Sequence, residues 1–408
     1  MTAQEKEKNR FWTLRYTLIN VTYFMVFCGI HGYSSVFLLG KGFTNTQIGL
    51  CLALANLVSV FAQPFIAGLI DKPGPLTNRN VAIGSTVCII MGSALLLFIK
   101  DSIAVIFILF AFIYMVQMAY QPMIIAMNFE YSRVGCKINF GLARGLGSLS
   151  FAISSAILGG VIARNGVDVL SIFDIVVLFA AVVILLTFIK PSGKEEEPVK
   201  ADNDISLEDE KPHNNIVEFT KEYPKFMLFI VGVVFFFFAH NLINDYFIQL
   251  IRPLGGNETL MGYAVFIAAA LELPTMALTP LFLKKFSCES MLKFCAVMFL
   301  VKTLIMTFAT NMVWVFVSEA CQMGAYAVLI PVSAIYVSRI MAKLDRVKGQ
   351  AYINVAITLG GVFSGLICGR LLDVYGVKIT MMIGSIVTVM GVIITFIAIG
   401  NGKRKTVS

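Results

Sequence analysis

Ionisable side chains inside apolar stretches are the residues of this chain that could do chemistry. Of its 32 lysines and arginines, Arg144 and Lys302 stand deep in long apolar runs, one in each half, and the acids Glu272, Glu319 and Asp245 share the second half with Lys302. A charge at the centre of a bilayer costs about 2.5–3.5 kcal/mol even on insertion scales, so each should face a partner or a watery cavity. The planar, five-donor guanidinium of Arg144 suits paired sugar hydroxyls or a carboxylate. Lys302 is the only cation set deep in the second half. With three acids facing it, at most one ion pair is fully compensated, and another acid has reason to hold a proton at neutral pH. The expected arrangement pairs Lys302 with Glu319 and leaves Glu272 to bind solute and to take up and release the proton; the two acids could also exchange these roles. Asp174 and Arg370 lie nearer the ends of their runs, where side chains snorkel to water. His31, among small neighbours, and Asn56, Gln117, Gln121, His240, Asn241, Asn244, Gln322 and Asn354 either line a wet cavity or hydrogen-bond between helices.

The elements that must position these side chains follow from composition. Of 408 residues, 58% are hydrophobic and 14% charged, with a mean hydropathy of +0.83, far from a soluble domain. Windows nearly free of charge fall at 16–40, 46–70, 80–99, 102–127, 140–163, 169–189, 226–250, 259–283, 290–310, 313–338, 350–372 and 379–399. Each meets the roughly 20 residues a helix needs to cross about 30 Å of hydrocarbon. The fold expected is an all-α membrane protein of twelve transmembrane helices. Residues 191–225 form the one long polar interruption, acidic and proline-containing, and read as a partly disordered linker. The domains expected are a six-helix bundle over 1–190, the linker over 191–225, and a second six-helix bundle with a basic tail over 226–408.

Loop cations give the orientation. Counting alternate loops from the N-terminus, 23 of the 32 lie on the same side as both termini and the linker; five (Lys41, Lys100, Arg164, Arg252 and Lys378) lie opposite, and Arg15, Arg144, Lys302 and Arg370 fall within spans. The termini and linker are therefore expected in the cytoplasm. The net charge of +8 reports this orientation: the cations are dispersed between apolar runs, which excludes a nucleic-acid-binding face. No CxxC or Cys/His spacing suggests a metal. No paired catalytic acids, nucleophile elbow, phosphate loop or HExxH motif suggests an enzyme. Most of the eight cysteines lie in apolar runs and read as small core residues.

Twelve spans in a 6+6 division around a cytoplasmic linker form the pattern of a secondary transporter built from repeats. Between the second and third spans stand Gly68, Asp71, Lys72, Gly74 and Arg79. The glycine would admit close helix packing, the aspartate would accept hydrogen bonds from a neighbouring helix N-terminus, and the cations would hold the loop at the cytoplasmic face. This loop resembles the signature of the major facilitator superfamily. Within it the chain resembles the oligosaccharide/proton symporters, the lactose permease group, in Gln63, Pro64 and Phe65 running into that loop, in Asn139 through Arg144 opening the fifth span, and in Phe308, Ala309 and Thr310 ending the ninth.

The resemblance implies two pseudo-symmetric bundles and a site for a small polar solute, most simply a sugar. It implies that Gly68, Asp71, Lys72 and Arg79 gate the conformational change, that Arg144 holds the sugar, and that Phe151 is the platform on which the sugar ring stacks. It further implies that Glu272 bridges sugar binding and proton coupling. Departures are clustered: Ala126 stands where an acid accompanies the arginine, with Asn128 and Glu130 nearby; Lys302 replaces an arginine; Glu319, Gln322 and Ala325 replace a cation, a histidine and a glutamate; Asn241 and Asn244 replace acids beside Asp245. The function expected is proton-coupled symport by alternating access in the plasma membrane. The proton is the coupling ion with no other cofactor, and the chain acts as a monomer in the lipid bilayer. A nucleoside or aromatic-acid symporter is the alternative, then a drug/proton antiporter, and from another class a non-transporting receptor.

Overall fold

The computed structural model describes residues 3–70, 76–100, 102–191 and 215–400; of residues 3–10 and Ile216 only the backbone is described. Asp71 and Lys72 of the signature loop, most of the linker and the basic C-terminal tail lie outside the described residues. Helices α1 to α10 are Ala3–Phe27, Asn45–Ile70, Asn78–Phe98, Ile103–Arg133, Phe140–Asn165, Asp168–Thr187, Pro224–Asp245, Glu258–Lys285, Cys288–Thr307 and Met312–Ile340. The last helical stretch, Arg346–Ala398, has 53 residues, about 80 Å if straight and far longer than a bilayer is thick. It turns at Gly376, whose φ of 74° is natural only to a residue without a Cβ. That turn makes two crossings of it, α11 before Gly376 and α12 after. The expected twelve transmembrane helices are therefore all present.

Local chemistry sets where these helices begin. Thr77, Ser102, Asn139, Asn257, Ser287 and Asn311 each stand just before a span and accept a hydrogen bond from a backbone N–H of the first turn. Such caps satisfy donors that hydrocarbon would leave unpaired. The helix surfaces are apolar where they face outward: Phe61, Phe98, Ile108 and Phe179 are each at least 65% exposed, as lipid contact requires.

The chain forms two compact units. The first comprises residues 1–43 and 54–203. In it α5 lies close against α1: a Cβ on Gly147 would sit 2.6 Å from the Phe24 ring. The second comprises residues 44–53 and 204–408, so the first turns of α2 belong with it. There Asp373 accepts hydrogen bonds from the backbone N–H and side chains of both Asn45 and Thr46, capping α2. Tyr246 donates to the carbonyl of Gly365 at 3.1 Å. The core of this unit is aromatic, centred on Phe229, Phe236, Phe237 and Phe299. Glycines let α7 pack closely: a Cβ on Gly360 would lie 2.5 Å from the Phe237 Cβ, and one on Gly391 2.9 Å from the Phe235 Cβ.

Candidate functional site

Each unit carries its polar cluster beside a helix that departs from α geometry. In the first, α1 passes into a π-helical turn over Cys28–Gly32, which presents His31. π turns leave the regular ladder and often mark functional positions. The His31 ring lies between Phe27, stacked at 4.3 Å, and Tyr114 at 3.7 Å. Phe151 on α5 stands 6.0 Å from Phe27 and packs against Gly32, whose added Cβ would touch its ring at 3.7 Å. One turn before Gly147, the Arg144 guanidinium sits 4.1 Å over the Phe24 ring and donates to Ser148 at 2.8 Å. Arg144, Phe151 and His31, selected from the sequence, thus come together with Phe24, Phe27 and Tyr114 in an aromatic cluster bearing one cation. Such rings can stack on a sugar or a heterocyclic base, and the guanidinium can fork onto its polar edge.

In the second unit, α10 breaks at a 3-10 turn over Cys321–Met323. The break brings Glu319 and Gln322 to one buried cation. The Lys302 ammonium lies 3.3 Å from the Glu319 carboxylate and donates to Gln322 Oε1 at 2.7 Å. The same amide donates through Nε2 to Glu272 Oε1 at 2.9 Å. Lys302 is 1% exposed and Glu319 3%, so this ion pair is set in the core. Ser318 donates to the Lys302 carbonyl at 2.9 Å, tying α9 to α10 at that level. The result is a chain from Glu319 through Lys302 and Gln322 to Glu272. A change of charge at either acid must be felt at the other through one ammonium and one amide. His240 borders this region, stacked 5.6 Å from Tyr326, with Asn244 at 2.9 Å from its Nε2.

Several expectations are corrected. Asp245 does not face Lys302: it ends α7 and has no hydrogen bond or ion pair among those described. Asn244 is exposed and holds His240. Glu130, near the position where an acid accompanies the arginine in the resembled family, accepts from Asn78. Gly68 makes no close packing contact; it is exposed and a Cβ there would meet nothing within 4 Å. Arg79, the other described residue of that loop, instead caps the end of α6, donating to the carbonyls of Leu185 and Leu186, both at 2.8 Å. A cation there complements the negative end of the helix dipole. Asp174 does not snorkel to water; it is 5% exposed. Tyr114 and Tyr326 carry no signal in the sequence that selects them, and Asp174, a charge in an apolar run, stands too near the end of its run to be told there from a snorkelling residue.

Twelve apolar helices, with a cation beside a broken helix in each unit and a buried ion pair in the second, define an integral membrane protein. The chain belongs to the MFS_1 like family, whose model matches residues 13–383, and is a transporter of the major facilitator type. It is 27% identical over 172 residues to the maltose permease of Geobacillus stearothermophilus, a match covering 41% of this chain and 43%, under half, of the permease. Its fold is similar to crystal structures of the nucleoside transporter NupG (TM-score 0.75, 12% identity, 96% of this chain and 100% of that one). It is also similar to the POT family transporter PepTSo (TM-score 0.71, 9% identity, 95% and 97%). A bacterial homologue of the human lysosomal transporter Spinster matches at a TM-score of 0.67, with 11% identity over 96% of this chain and 97% of that one.

Proposed function

We propose that this protein is a proton-coupled symporter of a small polar solute, a sugar or oligosaccharide first, working by alternating access. The observation that carries the reading is the buried network Glu319–Lys302–Gln322–Glu272. Lys302 compensates Glu319, and Glu272 is joined to that cation through the Gln322 amide, so Glu272 is the acid we assign to the proton. Protonation of Glu272 turns an acceptor into a donor. Where the new O–H donates to the Gln322 carbonyl, it competes with Lys302 for that acceptor. Proton uptake at one end of the network thereby loosens the cation at the other. Arg144 and the rings of Phe24, Phe27, His31, Tyr114 and Phe151 supply the solute-binding chemistry of the first unit, in keeping with the partial similarity to a maltose permease.

A nucleoside is the second reading. The aromatic cluster favours it as well, since a base stacks on the same rings, and the chain shares its fold with a nucleoside transporter. We place the protein in the plasma membrane, and the distribution of loop cations supports both termini and the linker being cytoplasmic. The protein is taken to work as a monomer. Lightly buffered cells given maltose or uridine test the proposal: the transported solute should alkalinise the medium, and Glu272→Gln should abolish accumulation while sparing counterflow. Uptake of solute without alkalinisation would sink proton symport, and full accumulation by Glu272→Gln under a pH gradient would clear Glu272 of the role.

A further inference from the structure

The first unit holds a buried acid that the network of the second does not use. Asp174 sits in the second turn of α6, 5% exposed, and its Oδ1 has no hydrogen-bond partner. The other acid of the helix, Asp168, is paired with Lys41 at 2.5 Å. Asp174 has no such cation among the described residues. It lines a cavity of about 10 Å³, the room one water molecule requires. Ser93, Ser171 and Gly29 line the same cavity, together with apolar side chains such as Leu96 and Phe110. Gly29 belongs to the π turn of α1, and a Cβ on it would lie 2.5 Å from Asp174 Oδ1. Glycine at this position is therefore what lets the carboxyl abut the turn that also carries His31.

The titratable groups that face Asp174 are the Cys28 thiol from the π turn and the Tyr120 phenol from α4. His31, on the same turn, is held between Phe27 and Tyr114. None of these offers a fixed positive charge. An ionised carboxylate in such surroundings would be uncompensated in a medium of low dielectric, whereas the protonated acid is neutral and can donate to a water in the cavity.

We propose that Asp174 is a second proton-binding site of this transporter, lying in the first unit apart from the Lys302 network. The carboxylate takes a proton from hydronium, forming one O–H bond and releasing one water. It holds the proton while the cavity is closed and returns it to water when movement of the π turn opens the cavity. Because the five-residue turn that carries His31 abuts Asp174 at Gly29, solute packing against His31 is placed to control that opening. Its role in transport rests on the proton-symport reading above; its binding of a proton does not.

The full-length wild type, Asp174→Asn and Glu272→Gln are compared after reconstitution into liposomes, with maltose and uridine as solutes and sodium absent. Asp174→Asn should lower the number of protons entering per solute by one while counterflow stays within about twofold of wild type; an unchanged ratio overturns the proposal. If the wild type accumulates neither solute under a pH gradient, the symport reading fails, and infrared titration of the protein decides the site alone. A protonated-carboxyl band that is lost in Asp174→Asn and titrates away as the pH rises sustains it. Absence of any Asp174-dependent band between about pH 5 and pH 9, a range either side of neutral in which buried acids titrate, overturns it, as does a carboxylate band that responds to added sodium and not to pH. Should Asp174→Asn fail to fold, Asp174→Glu must keep the band and move its midpoint; an unmoved band assigns the signal elsewhere and overturns the proposal.

Discussion

Neutralising one side of the Lys302–Glu319 pair should cost far more than neutralising both. The two groups are 1% and 3% exposed and 3.3 Å apart, so Glu319→Gln leaves an ammonium in the core with only neutral acceptors, the new amide carbonyl and that of Gln322 at 2.7 Å. Breaking a buried pair costs about 3–5 kcal/mol, whereas replacing both partners by neutral groups of similar volume is often nearly free. The retained Gln322 contact and the option of losing a proton place Glu319→Gln toward the lower end, about 3 kcal/mol. Lys302→Met should cost about as much, since it strands a carboxylate, and Lys302→Met combined with Glu319→Gln should cost about 1 kcal/mol, a gap several times the scatter expected of independent sites. The measurement is a double-mutant cycle on unfolding of the purified protein in mixed detergent micelles, followed by helical circular dichroism. A coupling energy below about 0.5 kcal/mol, the level at which distant residues add, would falsify the pair as a core element. A double variant as unstable as the worse single one would show that the cost arises from shape and not from charge.

Gly147→Ala should weaken solute binding without touching Arg144, because its Cβ would meet at 2.6 Å the Phe24 ring on which the guanidinium rests; Gly145→Ala, where nothing lies within 4 Å, is the matched control and should raise stability by about 0.5–1 kcal/mol through helix propensity. Equal transport KM in the two variants would refute this account of the Arg144 platform. Gly360→Ala should destabilise by about 1–3 kcal/mol, the usual cost of overpacking, since its Cβ would lie 2.5 to 2.9 Å from the backbone and Cβ of α7; a melting curve identical to wild type would show that the helices can part there freely. Asp373→Asn keeps one acceptor but loses the charge that caps α2, and should cost about 1 kcal/mol, read as faster hydrogen exchange confined to the amides of Thr46 to Gly49. Arg144→Ala should abolish uptake of every transported solute while leaving thermal stability near wild type, and persistent uptake would remove Arg144 from the binding chemistry.

Much of the fold is legible because a bilayer imposes simple rules. Length, apolarity and loop charge are local properties, so the spans could be read off directly, with α5 and α10 beginning within a residue of their apolar windows. In the structure Gly360, Gly365 and Gly369 of α11 pack closely against neighbouring helices. In α5 the same is true of Gly147 but not of Gly141 or Gly145, since composition alone does not give the face a residue occupies.

Which buried charges meet was not local. The sequence by itself determined that Arg144, Lys302 and their acids must find partners or water, because hydrocarbon leaves them no other stable state. It did not determine that Glu319 and Gln322 would share Lys302 while Asp245 stood apart, since that depends on the break in α10 at Cys321–Met323 and on how α7 is rotated. Asp174 reverses in the same way: near a helix end by count, it is buried by the packing of α6 against the π turn of α1. Apolar length decides whether a helix crosses the membrane, but only tertiary packing, acting through backbone irregularities a few residues long, decides which polar atoms lie within hydrogen-bonding reach.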